Sequence, residues 1–539
     1  MDRILADRTR AADSTVDQRD QAGSAPVVRR WHAEHPRWAA AIAERGVDWD
    51  HPRSVHWNAA CGAEAAADFA AIRRQARTYD AIAPAFAATA RHREDRARSA
   101  EAMGDLVTAR ENYFMAAVHW SAAQWPAHAD DAPSRGYHER KRACYRRYAE
   151  LADHHVEAVS IPFPGTHRGS LPAWLHLPPG YRGGRLPVAV VLADLDSCKE
   201  ATVALHGDRF LSRGFAVLAM EGPGQYECAM LGTHFSVPAW AQVGPACMDW
   251  LAGRDEIDPE RVVLTGSGFG SFAATVVAAH EPRFLACAVV EVCHEPGWTT
   301  VFEQASPTYK MRFMYMTGHT DEAEFDRFSP TLTWQGRAQR IRMPFLAVAG
   351  QHDELSPLDW TRDLLDTVQG PRLLVIYQDS PHHIGGVPSA RLGPSAPGLV
   401  ADWLAARVRG DAFPTEQWII DSGGRINRSP LHALEPLDEA DPSEEPVAEL
   451  FTEPMAEPLA QAATEPSGQP RSGPPTPVPP AGQPAPVPPH EQPAKPAGRA
   501  RGSRKKGSPQ PDHPQPSVRH EPAASNGSHG RSKVPRRPS

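Results

Sequence analysis

Two rhythms of apolar positions divide the chain. From about Val27 to Asp153 apolar residues return at three- and four-residue steps, as in "DFAAIRRQARTYDAIAPAFAATARHREDRARSAEAMGDLVTARENYFMAAVHW", with Ala, Glu and Arg between them. That period and those residue types predict helices almost throughout. From about Val156 the pattern changes to short runs rich in β-branched residues: "LPVAVVLAD", "GFAVLAME", "RVVLTG", "LACAVVEV", "MPFLAVAG" and "PRLLVIYQ". Helical stretches such as "WAQVGPACMDWLAG" and "GSFAATVVAAH" lie between them. Strands alternating with helices predict an α/β fold with a mainly parallel sheet, helices on both faces, and ligand sites at the carboxyl ends of the strands. "EQWIID" (416–421) is expected as a last, edge strand.

Polar, aperiodic sequence flanks this part. The expected organisation is a disordered leader (1–26), a helical, substrate-selecting region (27–155), an α/β core (156–430) and a Pro-rich tail (431–539) whose acidic stretch precedes a basic one. The basic block offers a contact for RNA or an acidic partner, and a solvated tail is the simpler expectation; its partner is unknown. Within the helical region, "GDLVTARENYFMAAVHWSAA" is similar to one tetratricopeptide unit, with Gly104 at a turn and Ala109, Tyr113 and Ala116 on one face. No second copy follows at a period of about 34, which argues against a solenoid.

Composition narrows the setting. At 539 residues the chain exceeds one ordinary domain. A formal charge of −8 gives the folded core no reason to bind nucleic acid. Seven cysteines without CxxC pairs indicate neither a zinc site nor a disulfide framework, and no metal or other cofactor is implied. The opening residues carry no secretory h-region, no apolar run approaches a membrane span, and "KVPRRPS" is no lipidation box. A cytoplasmic protein with a small-molecule substrate and no membrane partner is expected, with homo-oligomerisation left open.

The chemistry centres on "RVVLTGSGFGSFAATVVAAH" (261–280), an apolar strand, a glycine-rich turn and an Ala-rich helix. This is the outline of a G-x-S-x-G nucleophile elbow, whose serine sits at the tip of the turn. Here the tip falls on Gly268, with Ser267 and Ser271 off register. About 85 residues later Asp353 follows a strand run, and "YQDSPHHIGG" then places His382 and His383 after the next. Nucleophile, acid, histidine is the chain order of an α/β-hydrolase: the acid fixes the histidine's tautomer and the other ring nitrogen moves protons. Taken singly, each element has a plainer reading: a tight βα turn, a helix-capping Asp, exposed histidines.

"LPVAVVLADLDSCKE", "GFAVLAMEGPGQYE" and "DWLAGRDEIDPERVVLTGSGFGS" together resemble the family of 2,6-dihydroxypseudooxynicotine hydrolase and the fermentation–respiration switch proteins, and fungal polyketide-shortening hydrolases. The resemblance covers roughly residues 27 to 410. It implies an α/β-hydrolase fold behind a helical domain that roofs the cleft. It also implies a cofactor-independent enzyme, hydrolase or lyase, acting on a ketone, ester or polyketide-like carbonyl compound, esterase-like or C–C-bond-hydrolase-like. By the same resemblance the loop Asp194-Leu195-Asp196-Ser197 supplies one oxyanion-hole N–H, from Leu195, and Phe269 supplies the other. Asp196 is then a substrate-contact candidate. Lys199 and Glu200 open the next helix and read equally well as a surface pair. Tyr113, Trp120 and Trp125 either line the cleft or belong to the helical core.

Gly268 is the departure from the pattern. Glycine at the tip is expected to leave room for a water or a substrate hydroxyl, which favours His382 as base with Asp353, or His383 in its place, and no acyl-enzyme. Ser267, Ser271 and Cys198 are the displaced-nucleophile alternatives. An inactive scaffold that recruits partners through the tail is the remaining one.

Overall fold

The computed structural model describes residues 28–164 and 169–431 of the chain. The leader and nearly all of the Pro-rich tail lie outside them. The described chain opens with helices, among them His35–Arg45, Arg53–Cys61, Ala66–Gln75, Tyr79–Met103, Leu106–Gln124 and Ala132–Leu151. Gly104 ends the longest in the left-handed conformation (φ +84°), where its N–H reaches the carbonyls of Ala100 and Glu101. The chain then turns back at once into Leu106–Gln124, which is buried on nearly all sides because alanines let its neighbours approach closely. Ala132–Leu151 starts on an N-cap: the Asp131 carboxylate accepts from the Ser134 N–H, with Pro133 in the first turn.

Ten strands follow, all in one sheet: β1 (Val156–Pro162), β2 (Ser170–His176), β3 (Leu186–Leu192), β4 (Ala216–Met220), β5 (Ile257–Ser267), β6 (Ala286–Val290), β7 (Phe345–Gly350), β8 (Arg372–Tyr377), β9 (Glu416–Ile420) and β10 (Ile426–Pro430). Their order is β1-β2-β4-β3-β5-β6-β7-β8-β9-β10. Pairing is parallel from β4 through β9 and antiparallel at β1–β2, β2–β4 and β9–β10. The mainly parallel sheet foreseen from the strand runs is present. The edge is not where "EQWIID" suggested: β9 pairs with β8 on one side and with β10 on the other. β10 (INRSP) is almost wholly exposed and has no apolar pattern to announce it.

Alternate residues of each central strand enter different cores, as the two-residue period requires. Val188, Val190, Leu192 and Leu264 pack with helix Phe269–His280. Ala189, Val191 and Val263 pack with helix Ala396–Val408 on the other face. Truncating one such side chain, Leu264 for instance, costs about 2–5 kcal/mol. A third core joins Trp57, Phe86, Trp120 and Trp125 of the helical region to Trp174, Cys198 and Tyr226 from the strand-bearing part. The helical region and the sheet therefore share buried surface beside the loop that follows β3. No described helix is long and apolar enough to cross a membrane.

Candidate active site

The carboxyl ends of the central strands bring the candidate residues together. Gly268 follows β5 with φ +54° and ψ −123°, a strained turn that glycine holds without penalty. The turn is tight: a Cβ on Gly266 would lie 2.1 Å from the Gly270 carbonyl oxygen, so strand and helix can meet only without a side chain there. The room expected above Gly268 is absent. A Cβ built on Gly268 would meet Asp194 Oδ1 at 2.0 Å and its Cγ at 2.5 Å. Asp194, two residues past β3, thus fills the space that an elbow side chain would take. Its Oδ1 accepts from the backbone N–H groups of Leu195 (2.6 Å) and Phe269 (2.8 Å). The two donors converge on one oxygen atom, and that oxygen belongs to the protein. Burial, then the charge of Asp196, raises the Asp194 pKa to about 6 against the pull of those N–H groups.

Asp353 lies three residues past β7 and is pinned by accepting from the Leu355 and Ser356 N–H groups (3.0 and 2.8 Å). His382 lies in the loop after β8, where its N–H donates to Glu354 Oε2 (2.9 Å). Its Nδ1 faces both Asp353 oxygens, at 2.9 and 3.0 Å. Burial opposes charge on this imidazole, yet Asp353, and after it Cys293, hold its pKa well above the usual histidine range. Cys293, three residues past β6, presents its thiol to the same ring. Burial raises that thiol to about 11, so it rests protonated.

The tandem histidines divide. His383 pairs not with Asp353 but with Glu291, Nδ1 to Oε1 at 3.3 Å, and Glu291 also accepts from the Ile384 N–H and from the Ser267 hydroxyl (2.7 Å). The Ser267 hydroxyl is thereby committed to Glu291. Ser271 Oγ is buried and accepts from the Cys293 N–H (2.9 Å). Beyond His383 stand two histidines of the helical region: His51 Nε2 is 2.6 Å from His383 Nε2, and the His56 ring centroid is 4.2 Å from that of His383. Burial, then His383, lowers His51 well below the ordinary value and His56 to about 4. Among the described residues no group of His, Cys, Asp or Glu has the arrangement of a metal site, this one included.

The helical region also grips the loop after β3. Asp196 accepts from Arg53 Nε (2.9 Å) and Trp125 Nε1 (2.7 Å), while its carbonyl accepts from Trp57 Nε1 (3.0 Å). Arg53 lies over the Trp125 ring at 4.0 Å and also pairs with Asp50. Asp196 is therefore tied down by side chains rather than open to a ligand. Trp125 meets the loop, whereas Tyr113 donates to Glu101 and Trp120 stacks on Tyr137 within the helical layer.

Lys199 and Glu200 are not a surface pair. Both are buried, in a cluster where Lys199 Nζ meets Glu200, Glu221 and Glu227 at 3.2, 3.3 and 2.9 Å and Lys141 meets Glu200 at 3.2 Å. Lys141 comes from helix Ala132–Leu151, so the cluster anchors the helical region to the start of the helix after Asp194. Cys198, beside it, is buried packing whose thiol burial raises to about 11. No sequence motif marks Arg53, His51, His56, Glu291 or Cys293 as residues of this site. The one available signal was the polar "VDWDHPRSVHW" between helical stretches, which supplies His51, Arg53 and His56.

Residues 210–409 match the profile of the prolyl oligopeptidase family. "Hydrolase ORFZ" of Pyricularia oryzae is 32% identical over 222 residues, which are 38% of this chain and 51% of that protein. "Alpha/beta hydrolase xenA" of Xenoacremonium sinensis is 31% identical over 196 residues, 35% of this chain and 45% of that one. The chain thus spans about half the length of the curated relatives it matches. The crystal structure of the 2,6-dihydroxy-pseudo-oxynicotine hydrolase superposes with a TM-score of 0.57 at 23% identity, over 67% of this chain and 98% of that one, a likeness of fold. A mostly parallel sheet, the tight turn after β5 and these matches agree on the α/β-hydrolase fold, and residues 210–409 are similar to the prolyl oligopeptidase family.

Proposed function

We propose that this protein is a cofactor-independent hydrolase acting on a small carbonyl compound, a ketone, an ester or a polyketide-like molecule, by acid–base chemistry without an acyl-enzyme. The observation that carries the proposal is the carboxylate of Asp194 in the place of an elbow side chain, with the buried Asp353–His382 pair in loops at the same carboxyl edge of the parallel strands. Asp194 is ionised above pH about 6, and Asp353, by holding the imidazolium, favours the protonated form of His382. This assigns Asp194 as the base that takes a proton from water. It assigns His382, expected as a base from sequence, as the acid that delivers a proton to the leaving group. As the substrate carbonyl enters, Asp194 yields the Leu195 and Phe269 N–H groups, which then meet the oxyanion formed by water attack. Collapse of that intermediate expels the leaving group with the proton of His382, and proton transfer from Asp194 to His382 restores both groups.

Turnover of a panel of aryl esters and β-diketones by the wild type, His382→Ala and Asp194→Asn tests this reading. Loss of about 10²–10⁴-fold in each variant is expected. Undiminished turnover in both variants would overturn it, and no turnover of any substrate by the wild type would favour the inactive scaffold. The thiol of Cys293 against His382 supports a second reading, covalent catalysis from cysteine. That reading needs a thiolate, which burial opposes, and it predicts loss of turnover on alkylation of Cys293 by iodoacetamide.

A further inference from the structure

Around the cleft, buried cations are matched by carboxylates with one exception among the described residues. Arg53 has Asp196 and Asp50; Lys141 and Lys199 have three glutamates; Lys310 has Glu303, Glu322 and Asp326. Arg312, only 3% exposed, makes no ion pair, and its Nε has no hydrogen-bond partner. Its contacts are aromatic: the guanidinium lies 4.7 Å from the centroid of the Tyr226 ring and 5.5 Å from that of Tyr315. Rings beside the flat faces of a guanidinium shield it from water and leave its edge, where the N–H donors point, for a planar anion. The hydroxyl of Tyr226, whose ring Arg312 contacts, is also a buried polar group without a partner. Arg407, also buried without a carboxylate, differs: it covers Trp403 and Phe413, and Trp403 belongs to the core on the opposite sheet face from the elbow helix.

The position of Arg312 connects it to the reaction site. It sits on helix Pro307–Thr317 one turn after Tyr309, so the two side chains share a helix face about 5–6 Å apart. Tyr309 lies under Arg53 (5.5 Å) and beside His51 (ring centroids 6.3 Å), in the field of Asp194 and Asp196.

We propose that Arg312, with the Tyr226 hydroxyl, binds a carboxylate of the substrate, so that the molecule hydrolysed is a carbonyl compound bearing a carboxylate, its carboxylate at Arg312 and its reacting carbonyl at Asp194. A planar carboxylate takes two parallel N–H bonds from the free edge of Arg312 and neutralises a charge that the protein leaves unpaired. An unpaired buried cation lowers the stability of the free protein, a cost that binding sites accept. The inference rests on the assignment of this cleft as the reaction site, but its test does not depend on turnover.

The probes are γ-keto carboxylates of graded length, beginning with 3-benzoylpropionate, each compared with its primary amide by titration calorimetry. Wild type, His382→Ala, Arg312→Met and Arg312→Lys are titrated as full-length chains. The wild type and His382→Ala are expected to bind at least one acid tenfold or more tightly than its amide. That preference falls to about one in Arg312→Met and returns in part in Arg312→Lys. Without ligand, Arg312→Met melts at or above the wild-type temperature. Retention of the preference in Arg312→Met overturns the proposal, as does its absence from the wild type at every length. A lower melting point for both Arg312 variants with no acid preference in the wild type assigns Arg312 to packing. Failure of the hydrolytic reading would leave turnover unchanged in His382→Ala without altering the acid-to-amide ratio, so the two failures are distinct.

Discussion

Restoring serine to the elbow tip, Gly268→Ser, should cripple the protein rather than repair it. The new Cβ falls 2.0 Å from Asp194 Oδ1, well inside any tolerable contact, so Asp194 must leave. Leaving forfeits two charge-assisted hydrogen bonds from Leu195 and Phe269, each worth about 1.5–3 kcal/mol. The serine must also hold φ +54°, ψ −123°, a strain of about 1–3 kcal/mol. The sum is on the order of 5 kcal/mol, a large share of the 5–15 kcal/mol that holds typical proteins folded. The same substitution made with Asp194→Ala meets an emptied space, so only the strain remains. A double-mutant cycle by guanidinium unfolding should therefore give a coupling of about 3 kcal/mol between positions 194 and 268. The double variant should also gain labelling by a fluorophosphonate probe that Gly268→Ser lacks. Additive effects of the two substitutions, or a cost below about 1 kcal/mol for Gly268→Ser alone, would refute the placement of Asp194.

Other outcomes follow from the same contacts. Asp194→Asn keeps an acceptor for both N–H groups and removes the ionisation that burial penalises. The carboxyl is raised from 3.8 to about 6, so wild-type stability is full below pH 4 and falls as pH rises through 6. The variant should then be more stable by up to about 3 kcal/mol at pH 8 and equal below pH 4, read from unfolding midpoints across pH. Turnover against pH should show an acidic limb near pH 6 that disappears with Asp194→Asn, whereas His383→Ala should leave that limb in place. Lys141→Met leaves the buried Glu200 and Glu221 to share Lys199 as their cation and should cost about 3–5 kcal/mol in thermal or chemical unfolding. Asp353→Asn should lower the pKa of His382, visible as an upfield-shifted imidazole titration by NMR, because the carboxylate holds the imidazolium.

The central sheet was legible because each inner strand is buried on both faces and reads as an unbroken apolar run. β1, half exposed, carries no such signal, and β10 carries none at all. The elbow was legible from its glycines, which the close approach of β5 and the following helix demands. Chain order placed Asp353 and His382 after successive strands, and the two side chains meet at 2.9 Å. Asp194 was visible as a loop residue but not as the occupant of the tip, since that depends on how the loop after β3 curls over the turn after β5. His51 and His383 are separated by 332 positions, and Arg53 and Asp196 by 143. No local pattern encodes such pairs; they follow from the docking of the helices, which the shared core around Trp57 and Trp125 fixes.

Intact-mass analysis of the wild type, quenched during turnover of an activated aryl ester and again after incubation with a fluorophosphonate, tests the absence of an acyl-enzyme most directly. The account predicts unmodified protein in both samples. A mass increase mapped to Ser267, Ser271 or Cys293 would contradict it.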